Sequence, residues 1–281
     1  MKPKLVVVGA AGRMGRRIIS LAIDAGQFDI IGAVERQNHP DIGKDAGLVA
    51  AAETINVKID SAYPAGANMV IDFSQPAAAD KTIDYCLKNS VALVLGTTGL
   101  SDEQKNKIKS ASAKIPLIYA TNMSVGMNVL FALAGKVASM LAPPQNGMSR
   151  SSFGARRGDE FDTEIIEQHH RFKKDAPSGS ALTLAENICK ATEKKFPDCI
   201  TYGRSGKDAL RGKGTIGIHA VRAGDITGKH DVIFSTLGET VTLSHTAHSR
   251  DTFARGALRA ANWLVGKKPG LYSMTDVLGL K

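Results

Sequence analysis

From Lys4 to Tyr119 the chain alternates short unbroken apolar runs with longer stretches in which apolar residues recur every three or four positions. Leu5-Val-Val-Val8, Asp29-Ile-Ile-Gly-Ala-Val34, Asn68-Met-Val-Ile-Asp72, Val91 to Leu95 and Ile115 to Tyr119 have strand length and composition. Between them, the stretch containing Ile18, Ile19, Leu21 and Ala22, then Pro76 to Asn89 and Ser101 to Lys114, carry the helical period. Strands that are apolar at every position have no solvent face. They predict an α/β domain, a doubly wound parallel sheet with helices on both sides.

The texture then changes. A helical pattern follows Met123-Ser-Val-Gly-Met-Asn128 and runs to about Leu141, after which residues 143 to 158 show no hydrophobic period and read as a mobile basic loop. Beyond it, strands are expected at Phe161 to His169, Thr215 to Arg222, Asp231 to Ser235 and Glu239 to Ser244, with helices at Ser178 to Lys195 and Thr252 to Val265. This pattern predicts a mixed α+β second domain, largely antiparallel. No repeat of 20 to 50 residues is visible, which removes solenoid architectures.

The 281 residues exceed one ordinary domain. Apolar residues at 43%, charged residues at 22% and three cysteines without a C-x-x-C pair exclude a disordered chain, a disulfide-stapled fold and a cysteine-based zinc site. No apolar run reaches membrane-spanning length, and the apolar stretch near the N-terminus stops at Gly9, so a cytoplasmic protein without membrane partners is expected. The net charge of +9 fits a nucleic-acid surface, an acidic small molecule, or nothing beyond solubility, and the placement of the cations decides among them.

Gly9, Gly12 and Gly15 sit between the first strand and the first helix. A tight glycine turn opening a helix offers free N–H groups and a partial positive charge to a pyrophosphate, the Rossmann-like arrangement, although the common spacing is G-x-G-x-x-G. Glu35 ends the second strand, 20 residues after Gly15, where a carboxylate accepts hydrogen bonds from the adenosine ribose; Arg36 beside it suits a 2′-phosphate. Both NADH and NADPH are therefore candidate cofactors. Gly96-Thr-Thr-Gly99 and Ala120-Thr-Asn-Met-Ser124 follow two further strands on the same carboxyl edge and suit the nicotinamide side. The competing reading of these segments is a packing turn and simple helix caps, with Ser101 and Ser124 as N-caps.

The densest polar constellation runs from Glu164 to Ala181, off a strand, through a loop and into a helix. His169, His170, Arg171, Lys173 and Lys174 can all carry positive charge there. Strand alternation directs His169 and His170 to opposite sides unless the strand ends between them, which disfavours a shared metal. Ser178-Gly-Ser180 at a helix start presents N–H groups and hydroxyls to an anion. Together these describe a pocket for a carboxylated small molecule and absorb part of the +9 charge.

The whole chain resembles the 4-hydroxy-tetrahydrodipicolinate (dihydrodipicolinate) reductases. The resemblance rests on Val8-Gly-Ala-Ala-Gly-Arg-Met-Gly15, Asp72-Phe-Ser74, Gly96-Thr-Thr-Gly99, Asn122-Met-Ser-Val-Gly126, Glu164-Ile-Ile-Glu-Gln-His-His170, Lys173-Lys-Asp-Ala-Pro-Ser-Gly179, Gly214-Thr-Ile-Gly217, Arg222-Ala-Gly-Asp225 and Ser249-Arg-Asp-Thr-Phe253. It implies a homotetrameric oxidoreductase of diaminopimelate and lysine biosynthesis. Residues 1–126 would bind the dinucleotide, residues 127–245 would bind substrate and form the tetramer, and residues 246–281 would return to the first domain. By motif position it implies His169 and Lys173 as catalytic proton donors, and His170, Gly179 and Ser180 as carboxylate ligands, with Arg250 assisting. The cofactor would take Gly9, Ala10, Ala11, Gly12, Arg13, Met14, Glu35, Arg36, Gly96, Thr97, Thr98, Ala120, Thr121, Asn122 and Met123; no metal is implied. Two departures stand out: Ser180 replaces the usual Thr, and the 143–158 segment exceeds the usual connection.

A semialdehyde dehydrogenase needs an activated thiol, and neither Cys86, Cys189 nor Cys199 lies beside the His-Lys cluster. An NAD(P)-binding redox sensor without turnover, acting on nucleic acid, has only the 143–158 segment as a separate basic stretch and no helix-turn-helix to read bases.

Overall fold

The computed structural model describes residues 2–142 and 161–280. The 143–158 segment lies outside the described residues. Two compact units emerge, Met1–Val125 with Arg250–Lys281, and Gly126–Ser249.

The first unit carries a seven-stranded sheet ordered β12-β6-β5-β4-β1-β2-β3, every neighbouring pair parallel. Its strands are β1 (Lys4–Val8), β2 (Asp29–Val34), β3 (Ile59–Asp60), β4 (Met69–Asp72), β5 (Ala92–Leu95), β6 (Pro116–Tyr119) and β12 (Gly270–Tyr272). Alternate residues of each strand serve opposite faces. Leu5, Val7, Met69, Ile71 and Val94 pack with helices α1 (Arg13–Ala25) and α7 (Asp251–Leu264), whereas Val6, Val8, Val70, Leu93 and Leu95 pack with α3 (Pro76–Asn89) and α4 (Asp102–Ser112). Each such fully buried side chain contributes about 1.5–3 kcal/mol, and this two-sided burial explains why the strands are apolar throughout.

Helix ends follow local chemistry. α1 buries the stripe Gly15, Ile18, Ile19 and Ala22 and stops at Gly26, whose left-handed backbone returns its N–H to Ala22 and Ile23. α4 begins with a capping box between Ser101 and Gln104, and α3 has proline in its first turn. Three short elements of this unit, α2 (Ala46–Val49), β3 and β12, with the terminal α8 (Met274–Leu278), give no readable period because each spans less than two helical turns or a few strand residues.

The second unit carries a five-stranded sheet ordered β11-β10-β7-β9-β8, built from β7 (Asp162–His169), β8 (Ile200–Tyr202), β9 (Ile216–Arg222), β10 (Gly228–Thr236) and β11 (Glu239–Ala247). Helices α5 (Val125–Leu141) and α6 (Gly179–Ala191) share a core with Ile165, Ile216, Ile218, Val232 and Phe234 of the sheet. The expectation of a largely antiparallel sheet is corrected: β10 pairs antiparallel with β7 and β11, but β9 pairs parallel with β7 and β8. The crossover through α6 and the residues between β8 and β9 supply the long connections that parallel pairing requires. α6 also ends earlier than its pattern, at Ala191, because Glu193 adopts φ +53°. No helix among the described residues is long and apolar enough to cross a membrane.

Candidate active site

In the first unit, the segments expected to hold a dinucleotide follow β1, β2, β5 and β6 at one carboxyl edge of the sheet. The strand order reverses between β1 and β4, which creates the crevice in which such sheets bind ligands. The turn after β1 is fixed to the neighbouring strand: the N–H groups of Gly9 and Ala10 both donate to Val34 O, at 2.9 and 3.1 Å. Gly9 adopts φ +77°, and a Cβ on Gly15 would stand 2.1 Å from Gly9 O, so backbone fills the place a side chain would take. The first helical bond runs from Arg16 N–H to Gly12 O, which leaves the N–H groups of Arg13, Met14 and Gly15 outside the helical ladder. α1 has no acidic residue in its first turn to compete with an anion.

Glu35 is brought onto this turn. Its Oε2 accepts from Ala11 N–H at 3.2 Å and its Oε1 from Arg36 N–H at 3.0 Å, while Arg36 itself is exposed. A glycine cradle with a carboxylate at its rim fits the phosphates and ribose of a dinucleotide.

The remaining edge residues divide. Thr98 and Thr121 are exposed, but Thr97 is buried and its hydroxyl donates to Asp72 Oδ1 at 3.1 Å. Asn122 Oδ1 accepts from Ser124 N–H, and the Met123 side chain belongs to the core. Only the backbone of Thr97 and Met123 therefore faces the edge. Asp72, fully buried, was overlooked as an individual residue: it also accepts from Thr82 Oγ1 at 2.6 Å and Ser74 N–H at 2.7 Å, joining the ends of β4 and β5.

In the second unit, β7 ends at His169, so the two histidines part there: His169 is 9% exposed and turned inward, whereas His170 is half-buried on the loop beyond. His169 Nδ1 lies 2.5 Å from Glu167 Oε2. Arg222, paired with His169 in register on β9, holds both oxygens of Glu167 at 2.7 and 2.8 Å, and Ser178 N–H donates to Oε1 at 2.9 Å. Burial by itself would raise the Glu167 carboxyl; the hydrogen bonds from His169 and Arg222 outweigh it and bring it down to about 2. An ionised carboxylate only accepts, so the shared proton sits on His169 Nδ1.

His230 of β10 stands edge-on to His169, with ring centroids 5.2 Å apart. Burial, reinforced by the charges of His169 and Lys173, pushes His230 down to about 3, so it is a neutral wall. Ser178 ties the wall to the helix: its hydroxyl meets His230 Nε2 at 3.2 Å and accepts from Ala181 N–H as the N-cap of α6. Gly179 is exposed and Ser180 half-buried at the first turn of that helix. Lys173 pairs with Asp175 at 2.8 Å on the intervening loop.

Sequence reasoning singled out His169, His170, Lys173, Gly179 and Ser180 but missed Glu167, Arg222 and His230 as individual participants. The signal for Glu167 was present: it occupies the inward series Thr163, Ile165, Glu167, His169 of an alternating strand. Among the described residues no group of three or more histidine, cysteine or acidic side chains is arranged to hold a metal ion.

Two family models match the chain. Dihydrodipicolinate reductase, N-terminus, covers residues 3–123, and dihydrodipicolinate reductase, C-terminus, covers residues 126–278. A 4-hydroxy-tetrahydrodipicolinate reductase of Trichlorobacter lovleyi is 43% identical over 281 residues, 99% of each chain. One of the same name from Syntrophus aciditrophicus is 42% identical, again with 99% of each chain covered. A solved dipicolinate-bound dihydrodipicolinate reductase from Paenisporosarcina shares the fold, with a TM-score of 0.71 at 21% identity, covering 98% of this chain and 99% of that one. Matched from end to end by both family models and by relatives above 40% identity, the chain belongs to the dihydrodipicolinate reductase family.

Proposed function

We propose that the protein uses NADH or NADPH to reduce 4-hydroxy-tetrahydrodipicolinate to tetrahydrodipicolinate, with loss of water, in diaminopimelate and lysine biosynthesis. The observation that carries this reading is the grouping of His169 and Lys173, two proton-bearing side chains, on the end of β7 and the loop that leads into the anion-ready start of α6. Family membership supports the same substrate class.

When bound, the nicotinamide supplies the hydride. The chain's own residues manage charge and protons. His169 and Lys173 act as proton donors as negative charge builds on the substrate, and the Glu167 carboxylate holds the imidazole at Nδ1. His170, with the N–H and hydroxyl groups at Gly179 and Ser180, holds one substrate carboxylate. In the first unit, Gly9, Ala10, Ala11, Gly12, Arg13 and Met14 take the pyrophosphate. Glu35 takes the ribose and Arg36 a 2′-phosphate, with Gly96 to Thr98 and Ala120 to Met123 on the nicotinamide side.

The second unit also supports self-association. Its sheet face opposite α5 and α6 presents half-buried Ile166 and Ile233 with exposed Val221, and we read it as the surface through which copies form a homotetramer. Light scattering on the purified protein tests that mass.

The activity is tested by following oxidation of NADH and of NADPH while substrate is generated in the cuvette from pyruvate and aspartate semialdehyde by its synthase. Turnover that requires the synthase is expected. Lys173→Ala lowers it about 100-fold while cofactor binding persists. Folded protein that binds both cofactors yet never turns over rejects the reaction, and a wild-type rate for Lys173→Ala removes that residue from it.

A further inference from the structure

Glu167 is fully buried and takes four hydrogen bonds, from His169, from both Nη atoms of Arg222 and from Ser178 N–H. A carboxylate has about four acceptor positions, so this one is saturated. Arg222 reaches further. Its Nη2 also donates to Asp175 O at 2.6 Å, and the Asp175 carboxylate holds Lys173. One guanidinium thus connects the partner of His169 with the loop that carries Lys173.

We propose that Glu167 and Arg222 are positioning residues for the reductase reaction: Glu167 orients the imidazole through Nδ1 so that Nε2 delivers the proton, and Arg222 anchors both that carboxylate and the Lys173 loop. The inference rests on the reading of His169 as a proton donor. The surroundings of the ring agree with it. A Cβ on Gly228 would stand 3.2 Å from His169 Nε2, so the glycine keeps that edge clear, and His230 blocks rotation from the side. Among the described residues, the charged and titratable groups around His169 are Glu167 on its own strand, Arg222 on β9, and neutral His230 on β10 with His245 of β11 behind it, while Lys173 on the following loop acts on His230. Glu167 is the one anion in this set. Arginine suits the anchoring role because its planar fork holds two oxygens at once, which an ammonium cannot do with the same geometry.

A purely structural ion pair would alter stability and leave the pH profile of turnover in place. The positioning role alters the profile. In Glu167→Gln the planar shape remains but the charge and one of the two acceptor oxygens are gone, so kcat is expected to fall about 100-fold and the basic limb of the kcat profile to move down by at least about one pH unit. KM for NADH and NADPH stays unchanged. The same change made in a His169→Gln background costs little more, because the group it orients is already absent. A wild-type kcat and an unmoved limb for Glu167→Gln, or losses that multiply in the double variant, overturn the inference while leaving His169 as donor. Wild-type turnover by His169→Gln overturns the donor reading and the inference with it. Should Glu167→Gln fail to fold, Arg222→Lys decides. It retains a positive charge and is expected to lower kcat about tenfold at constant cofactor KM, and an unchanged kcat overturns the proposal.

Discussion

Replacing Gly15 by alanine tests whether close backbone approach builds the dinucleotide cradle. The added Cβ would meet Gly9 O at 2.1 Å and Ala10 Cα at 2.7 Å, where ordinary contact begins at 3.4 Å. Both obstacles are backbone, and Gly9 and Ala10 are fastened to Val34 O, so no side chain can swing aside. The start of α1 must withdraw by about 3.4 − 2.1 = 1.3 Å, dragging Ile18 and Ile19 from their places against the sheet. Overpacking of this kind costs about 1–3 kcal/mol of stability. Moving the helix start by more than 1 Å also breaks hydrogen bonds to a bound pyrophosphate. Each charge-assisted bond is worth about 1.5–3 kcal/mol, so loss of one weakens cofactor affinity about 10- to 100-fold. Calorimetric titration with NADH and NADPH, alongside thermal melts, reads both effects. Gly26→Ala is the control: it places alanine at φ +61° with nothing within 4 Å, at the far end of the same helix, and should cost about 1 kcal/mol without touching affinity. Wild-type affinity for both cofactors in Gly15→Ala would falsify the cradle.

Two further outcomes follow from side-chain geometry. Glu35→Ala should weaken NADH about tenfold and NADPH less, because the carboxylate addresses the ribose hydroxyls whereas Arg36 retains the 2′-phosphate; equal losses in a calorimetric comparison would undo that assignment. His230→Phe should flatten the acid side of the stability curve. The folded-state value of about 3 lies below the ordinary 6.5, so the unfolded chain binds more protons between them, and His230 stabilises fully above pH 6.5 and progressively less as pH falls toward 3. The slope that disappears is up to about 1.4 kcal/mol per pH unit, against a loss of about 1 kcal/mol near neutrality from the broken Ser178 contact; urea titrations at pH 5 and 7.5 measure both, and an unchanged slope would contradict the buried neutral state.

The parallel sheet was readable because its strands are buried on two faces, which makes Leu5 to Val8 and Ala92 to Leu95 apolar at every position. The second sheet was harder. Its strands have one open face, so polar residues such as Lys229 and Thr246 at the ends of β10 and β11 dilute the pattern, and both strands extend beyond their expected limits. Parallel pairing of β7 with β9 depends on where α6 returns the chain, a tertiary fact that no local window contains. The site divided along the same line. His169 and Lys173 are neighbours in sequence and stood out as a cluster, whereas Arg222 reaches Glu167 from 55 residues away. Thr97 illustrates the converse: its hydroxyl is spent on Asp72, 25 residues earlier, so a residue of suitable chemistry on a suitable loop turns its side chain away from the edge.

The first unit is completed by Arg250–Lys281: α7 packs on α1 with Arg17 clasping Asp251 at 2.7 and 2.8 Å, β12 pairs with β6, and Gly256 approaches Met123 O so closely that a Cβ would stand 1.8 Å away. A ribosome therefore delivers Met1–Val125 with one flank of its sheet covered by α1 but not yet by α7, then makes the 124 residues of Gly126–Ser249 before that second helix exists. At 5–20 residues per second that interval lasts about 6 to 25 s, with apolar side chains such as Ile18 and Ile71 lacking their final partners. The inserted unit can finish its own sheet during the wait, since β7 to β11 all lie within it. Order of completion thus departs from order along the chain: the middle closes first, and the beginning is sealed by the end.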